Sequence, residues 1–477
     1  MYQMKKLLAA LLVAAVAFAP LFSVNSFAES AEEPAADCPY IFVHGFMGST
    51  VYVDPSDPDS EAAWPPSSGR ITDAVKQSLP IILQLAFTHN WQKFADELIP
   101  VVTEMFSPIL LSENGEVDNN SGVRFSYPPR ESVKPDSKLS FSYDWRLNPI
   151  DTAAELNDFI NYVLDCSGCP QVVIECHSYG GVVCTTYAKL YGVSKVRGWV
   201  YNATAVYGET YNGELMTGQM RFDADALTEY LKMAFAYNKH EKFLNALFSA
   251  LNKIGVTDLA CRLVNRMMDK IGMNKLATGI LPLFGRWYSV WAMVPDDKID
   301  EALNYVFNEV YADDGVDRSN LRAGIDDYNT RIRPYLDEII ADINANCDYY
   351  VIARYGFCSL FLTPSWRNSG DGLIDLKYAS QGAEAALYGE KLTAEQTAGV
   401  SPEYISPDGG VNASTCKYPE QTWFIRNLTH AKSSQSLDKM VFDLLYHNGQ
   451  ATVDTFDEYP RFLYYDETGD KIVPDTN

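Results

Sequence analysis

The stretch Gln171-Val-Val-Ile-Glu-Cys-His-Ser-Tyr-Gly180, running on into Gly181-Val-Val-Cys-Thr-Thr-Tyr-Ala-Lys-Leu-Tyr191, decides how this chain is read. Gln171 to Cys176 is a short run rich in β-branched and apolar side chains, the pattern of a strand buried in a parallel sheet. Gly180 to Tyr191 has the spacing of a helix. The chain must therefore pass from strand to helix within His177-Ser178-Tyr179. A corner that sharp strains its central residue and tolerates only small neighbours two positions away on either side. Gly180 meets that need after the serine. Cys176 stands before it, where a glycine is usual, and is small enough to fit. The plainer alternative is a tight turn that happens to hold an ordinary serine.

Working outward, the same alternation recurs. Pro39-Tyr-Ile-Phe-Val43 is a buried-strand pattern, Lys138–Tyr143 alternates like a strand, and Ala153–Leu164 is an amphipathic helix. Val196–Tyr201 is again a strand, and the pattern resumes at Tyr349–Ala353 and Thr422–Arg426. A final helix, Leu437–Tyr446, stops at Asn448-Gly449, a helix-ending pair. Strand and helix alternating at short spacing predict an α/β fold with a mostly parallel, doubly wound sheet. Residues 29–207 and 347–477 are expected to form this core. Two segments interrupt it. Residues 51–137 carry strongly apolar helical patterns at Ile71–Phe87 and Trp91–Leu111, of which Ile81–Phe87 and Ile99–Leu111 suit either core or docking to a lipid surface. Residues 208–346 hold Leu, Met, Phe and Trp at helical spacing without strands, as expected of a helical cap inserted between strands. The acidic, aromatic tail after Gln450 receives no functional reading.

Composition bounds the function. Of 477 residues, 47% are hydrophobic and 13% aromatic, so the chain buries a substantial core. The formal net charge of −24 repels phosphate backbones and excludes nucleic acid as a partner. It also disfavours electrostatic capture by anionic lipid, so any membrane contact must be largely apolar. Lys5 and Lys6, the apolar run Leu7–Phe22 and the small residues of Ser26-Phe27-Ala28 read as a signal peptide, 1–28, cleaved after Ala28. The alternative, a lone membrane anchor, has too short an apolar core. A secreted or cell-envelope location is expected. All nine cysteines follow the leader, and an odd number leaves at least one thiol free or paired elsewhere. Cys166-Ser-Gly-Cys169 follows a helix and precedes a strand, the reverse of a redox pair, so a local bridge or plain thiols are expected there. No cluster of metal ligands stands out.

A serine at such a corner is a candidate nucleophile, and it needs an imidazole base and a carboxylate that orients that base. In a sheet of this kind the chain order is serine, acid, histidine. Beyond Ser178 and outside the helical insertion stand His430 and His447. His430 follows the strand Thr422–Arg426 in a polar loop and is the candidate base; His447 ends the last helix and suits its dipole. Asp371, in Ser369-Gly-Asp-Gly372, is the candidate acid, because glycines on both sides let the backbone turn and present it. Asp375 is the reserve, and a simple turn aspartate is the plain alternative for Asp371. Charge developing on an acyl oxygen must meet fixed donors. The N–H of Tyr179 is one, and the N–H of Phe46, in His44-Gly-Phe-Met-Gly48 after the first strand, is the other. His44 and His177 are read as packing residues. This chemistry requires no cofactor and no metal.

With these pieces in place the chain resembles an α/β-hydrolase, and more narrowly the lecithin:cholesterol acyltransferase and lysosomal phospholipase family. The resemblance rests on the glycine loop at 44–48, Tyr143-Asp-Trp-Arg146, the corner around Ser178, Ser289-Val-Trp-Ala-Met-Val-Pro295 and Gly370-Asp-Gly-Leu-Ile374. Cys176 and His44 depart from the usual pattern. The resemblance implies a Ser178–Asp371–His430 triad, an acyl-enzyme intermediate and a lipid ester substrate. Tyr143 to Arg146 itself reads more simply as a strand end with a buried tryptophan and a salt bridge. The Met, Phe and Trp stripe of the insertion suits a cap over an acyl-binding groove. The expected activity is hydrolysis or transfer of acyl groups from lipid esters. An esterase or peptidase on another substrate, or a silent hydrolase fold that binds lipid, are the alternatives.

Overall fold

Eight strands hydrogen-bond into one sheet: β1 (Tyr40–Val43), β2 (Lys138–Phe141), β3 (Val172–His177), β4 (Val196–Asn202), β5 (Asp348–Tyr355), β6 (Thr422–Arg426), β7 (Phe462–Asp466) and β8 (Lys471–Pro474). Their spatial order is β8-β7-β6-β5-β4-β3-β1-β2. Every neighbouring pair is parallel except β7 and β8. This is a computed structural model, and it describes residues 36–476 apart from 89, 238–239, 272–283 and 313. The expected leader lies outside the described residues.

The inner strands are mostly buried on both faces, which is why they read as continuous runs, whereas β2 at the edge alternates. On β3, Val172, Ile174 and Cys176 join one core layer with Trp199, Tyr201, Val351 and Phe424. Val173 faces the other way, with Val200, Ile352 and Ile425. Helices α3 (Pro149–Ser167) and α4 (Gly180–Tyr191) supply the first layer. The helix after β6, α14 (Gln435–Leu445), covers the second with Leu437, Met440, Val441, Leu444 and Leu445. The ends of α3 follow local chemistry. Asn148 caps its start by accepting from the Ile150 N–H, Pro149 fills the first turn, and Gly168 closes it in the left-handed conformation at φ 72°.

Between β1 and β2 lie α1 (Ser68–Thr88) and α2 (Trp91–Phe106), as the apolar patterns predict, but also a small antiparallel sheet of Val51–Tyr52, Ala62–Trp64 and Gly122–Val123. Strands of two or three residues are too short to display a period, so the sequence pattern does not show them. Between β4 and β5 the described elements are helical: α5 (Thr210–Met216), α6 (Ala224–Ala234), α7 (Glu241–Lys253), α8 (Val256–Ile271), α9 (Tyr288–Ala292), α10 (Ile299–Leu303), α11 (Ser319–Arg331) and α12 (Leu336–Asn346). A short helix, α13 (Leu376–Ala379), follows β5. The tail left unread in the sequence forms β7 and β8 and extends the sheet at its edge. All nine cysteines are free thiols, so the bridge considered between Cys166 and Cys169 is not formed. Among the described residues no helix is long and apolar enough to cross a membrane.

Candidate active site

Ser178 sits one residue past β3 with φ 57°, the strained left-handed backbone that a strand-to-helix corner demands. Both of its backbone groups are held. Its N–H donates to the Asn202 carbonyl (3.2 Å), and its carbonyl accepts from Gly181 (3.0 Å) and Ala205 (3.2 Å). The neighbours are small because the corner is crowded. A Cβ at Gly180 would overlap the Val43 carbonyl oxygen, and one at Gly181 would stand 2.6 Å from Thr204 Cβ. Cys176, in the position where glycine is usual, fits because its buried thiol donates into the sheet, 3.4 Å from the Val200 carbonyl. Burial pushes that thiol far above its ordinary pKa, so it is an inert packing group.

The candidate acid and base meet. Asp371 Oδ2 lies 2.7 Å from His430 Nδ1, and the His430 N–H donates to the Asp371 carbonyl at 2.9 Å. Asp371 is almost wholly buried, and its other carboxylate oxygen accepts from the N–H groups of Leu373 (3.0 Å) and Ile374 (2.7 Å). A carboxylate fixed by two backbone donors can only present its free oxygen in one direction, and that oxygen faces the imidazole. The flanking glycines are required: a Cβ at Gly370 would overlap the Ile374 carbonyl, and Gly372 adopts φ 96° against Met233 of α6. Asp375, the reserve acid, is occupied elsewhere, accepting from Thr210 Oγ1 (2.5 Å) and Asn368 Nδ2 (2.6 Å). His447 lies just past α14, where its ring Nδ1–H donates to the Gly449 carbonyl (2.9 Å).

His430 also lies against the residue preceding the serine. Its ring centroid is 4.6 Å from that of His177. The Ser178 hydroxyl itself is not hydrogen-bonded to His430; such contacts often tighten only when substrate lies between them.

The glycine loop after β1 abuts the serine. A Cβ at Gly45 would come within 2.5 Å of Ser178 Cβ and 2.9 Å of its Oγ. This places the Gly45–Phe46 backbone beside the hydroxyl. Neither the Phe46 nor the Tyr179 N–H is taken by another described group, and α4 begins at this point without a side-chain cap. Both donors, and the positive end of a twelve-residue helix, are therefore free to meet developing negative charge. His44 is structural: its Nε2 meets Ser49 Oγ at 2.5 Å, its ring stacks on Tyr143 at 4.5 Å, and burial pushes its pKa down to about 4. Tyr143 returns a bond to the His44 carbonyl (2.7 Å), and Trp145 Nε1 donates to the Ser49 carbonyl (3.2 Å). Arg146 is fully buried and pairs with Asp144 at 2.5 Å. Tyr143 to Arg146 thus holds the buried tryptophan and salt bridge of the simpler reading, and it also braces the glycine loop. The Phe46 ring meets Trp145 edge-on at 4.9 Å and Trp287 at 5.9 Å, forming an aromatic wall next to the loop.

Two contributors carry no sequence signal of their own. Tyr237, just past α6, donates through its hydroxyl to the Asn427 carbonyl (2.7 Å) and accepts from the Thr429 N–H (3.1 Å), tying the helical segment to the loop of His430. Arg354 on β5 reaches the same loop from below. Among the described residues no group of three or more His, Cys, Asp or Glu gathers to hold a metal ion.

No protein-family model matches this chain, and no curated protein matches it. Among solved structures it is similar to a chain of the Tle4–Tli4 complex, with 13% identity over 68% of this chain and 75% of that one, at a TM-score of 0.28.

Proposed function

We propose that this chain is an exported serine ester hydrolase or acyltransferase of the α/β-hydrolase fold, acting on acyl lipids. The observation that carries the reading is the 2.7 Å bond between Asp371 and His430, made at the strand end where Ser178 occupies its strained corner. Ser178 Oγ attacks the ester carbonyl, and its proton passes to His430. The tetrahedral oxyanion is held by the Phe46 and Tyr179 N–H groups. As the intermediate collapses, the ester C–O bond breaks and His430 hands the proton to the departing alcohol. Water or an acceptor alcohol then attacks the acyl-serine, losing its proton to His430, and the serine is regenerated. Asp371 keeps the proton of the resting imidazole on Nδ1, so that Nε2 is the basic nitrogen.

The helical segment 208–346 is proposed as a cap. Two contacts support this: Met233 packs on the turn bearing Asp371, and Tyr237 bonds to the loop bearing His430. The half-buried Phe46 ring, packed on the buried Trp145 and Trp287 beside the proposed oxyanion position, supports an apolar acyl group as substrate.

A fluorophosphonate is the direct test. It is expected to modify Ser178 and to fail on the His430→Ala variant. A series of p-nitrophenyl esters is expected to show kcat/KM rising with chain length. A folded protein that takes no fluorophosphonate removes the hydrolase reading, and a preference for acetate over long chains removes the lipid one. Secretion from the native host with an N-terminus at Glu29 is the check on export.

A further inference from the structure

We infer that Arg354, together with His177, is a positioning residue that sets where the His430 imidazole stands relative to Ser178. The inference rests on the triad reading above. Arg354 is the penultimate residue of β5 and is almost completely buried. A guanidinium in that position keeps its charge and is costly to bury unless every donor finds an acceptor. Among the described residues it makes no ion pair with a carboxylate. One terminal nitrogen instead lies 3.1, 3.0 and 3.1 Å from the carbonyl oxygens of Thr429, His430 and Lys432. Its Nε and second terminal nitrogen fork onto Asn202 Oδ1, at 3.2 and 2.8 Å.

Three carbonyl oxygens from one short stretch of loop converge on a single nitrogen. Their dipoles repel one another unless a cation stands among them, so the loop's shape depends on Arg354 being there. Carboxylates act on the cation without touching it, Asp371 first and then Glu175. Asn202 donates to Glu175 Oε1 (2.7 Å), and Tyr40 donates to Glu175 Oε2 (2.6 Å). Every donor of this chain lies on a strand of the central sheet: Tyr40 on β1, Asn202 on β4 and Arg354 on β5.

His177 closes the arrangement from the side of the nucleophile. Its Nε2 lies 3.2 Å from the same His430 carbonyl, and a carbonyl only accepts, so that nitrogen carries the proton. Burial and the nearby Arg354 and His430 drive its pKa well down, which keeps the ring neutral. The residue before the nucleophile therefore holds the backbone of the base. Ser178 and His430 are registered to each other through a bond that involves neither of their reactive atoms. A structural role alone would make Arg354 important for folding but leave the chemistry of the folded fraction unchanged.

The test uses the full chain with four substitutions: Arg354→Ala, Arg354→Lys, His177→Leu and His177→Asn. Each is assayed for p-nitrophenyl butyrate hydrolysis and for the rate of fluorophosphonate labelling at Ser178, with near-UV circular dichroism reporting the fold. Arg354→Ala is expected to lower kcat about 10²-fold with KM within about threefold, the cost of a small misplacement of reacting groups. Millimolar guanidinium, too dilute to denature, is expected to restore part of that loss, and Arg354→Lys less of it because an ammonium lacks the fork. His177→Leu should lower kcat about tenfold while His177→Asn, which keeps an N–H donor, recovers most of it. A folded Arg354→Ala with the parent kcat overturns the inference. If that variant does not fold, the His177 pair decides: equal kcat for Leu and Asn overturns it. A parent chain whose Ser178 takes no fluorophosphonate overturns the triad reading and this one with it. Labelled parent and unchanged variants overturn this one alone.

Discussion

The corner that carries Ser178 and the loop that carries His430 lie side by side, yet they are built in opposite ways. The corner is shaped by crowding: a left-handed φ of 57°, glycines at 180 and 181 packed on Val43 and Thr204, and the glycine at 45 pressed against the serine. The His430 loop has one left-handed residue, Asn427 at φ 66°, but no such crowding. It is held by partners far away in sequence: Asp371, Tyr237, Arg354 and His177. Crowding that admits only small residues leaves a signature in the sequence, and long-range polar bonds do not. That difference also says how each half should fail when altered.

The largest effects come from removing the reacting groups. Ser178→Ala is expected to lower kcat/KM for p-nitrophenyl esters by about 10⁴-fold or more. Asp371→Asn is expected to cost about 10⁴-fold while leaving the fold intact, because the tautomer of His430 is then no longer held. Comparable thermal midpoints with very different rates would support the contrast, and an active Asp371→Asn would break it. Next comes Gly45→Ala. Its methyl group would stand 2.5 Å from Ser178 Cβ, so the serine must shift. A loss of about 10²-fold in kcat is expected, with little change in KM. Unchanged kcat would show that the glycine loop yields more easily than the corner.

Stability should also depend on pH through His44. Its folded-state pKa, about 4, lies below the value of an unfolded histidine because the ring is buried. A depressed pKa stabilises the fold above the unfolded value, near pH 6.5, and the contribution is lost as pH falls through about 4. Replacing His44 by Gln is therefore expected to flatten the pH dependence of urea unfolding between pH 7 and pH 4, by up to about 3 kcal/mol. A parallel pair of curves would remove this assignment. The smallest effect is expected from Cys176→Gly, which restores the usual small residue before the serine. Activity should stay within about twofold, and stability should fall by about 1 kcal/mol through lost packing and added chain freedom. A large loss of activity would mean that the departure at Cys176 is more than a matter of fit.

Strands β1 and β3 to β6 were legible as mainly apolar runs bounded by polar turns, and β2 from its alternation. β7 and β8 were not, because short aromatic and apolar runs in an acidic tail do not show which neighbour they will pair with. The two- and three-residue strands near Val51 and Ala62 lie below the length at which periodicity exists. At the site, Ser178 and Asp371 were readable from their flanking glycines, and His430 from its place after a strand. His177 was read as packing. Its ring does pack on His430, but its bond to the His430 carbonyl depends on how β3 and β6 are spaced across the sheet. Arg354 had no signal at all: one arginine at a strand end looks the same whether it faces water or a loop of carbonyls.

One consequence concerns how the protein is handled. The side-chain amide of Asn427, three residues before His430, donates to the Tyr464 hydroxyl (3.2 Å) and the Tyr465 carbonyl (3.1 Å) of β7. Arg426 forks onto Asp475, near the very end of the chain, at 2.7 and 2.8 Å. The final residues are thus a bearing on which the loop of the base rests. Cutting the chain before Asp475 would remove the partner of Arg426 and act on the proposed site from outside.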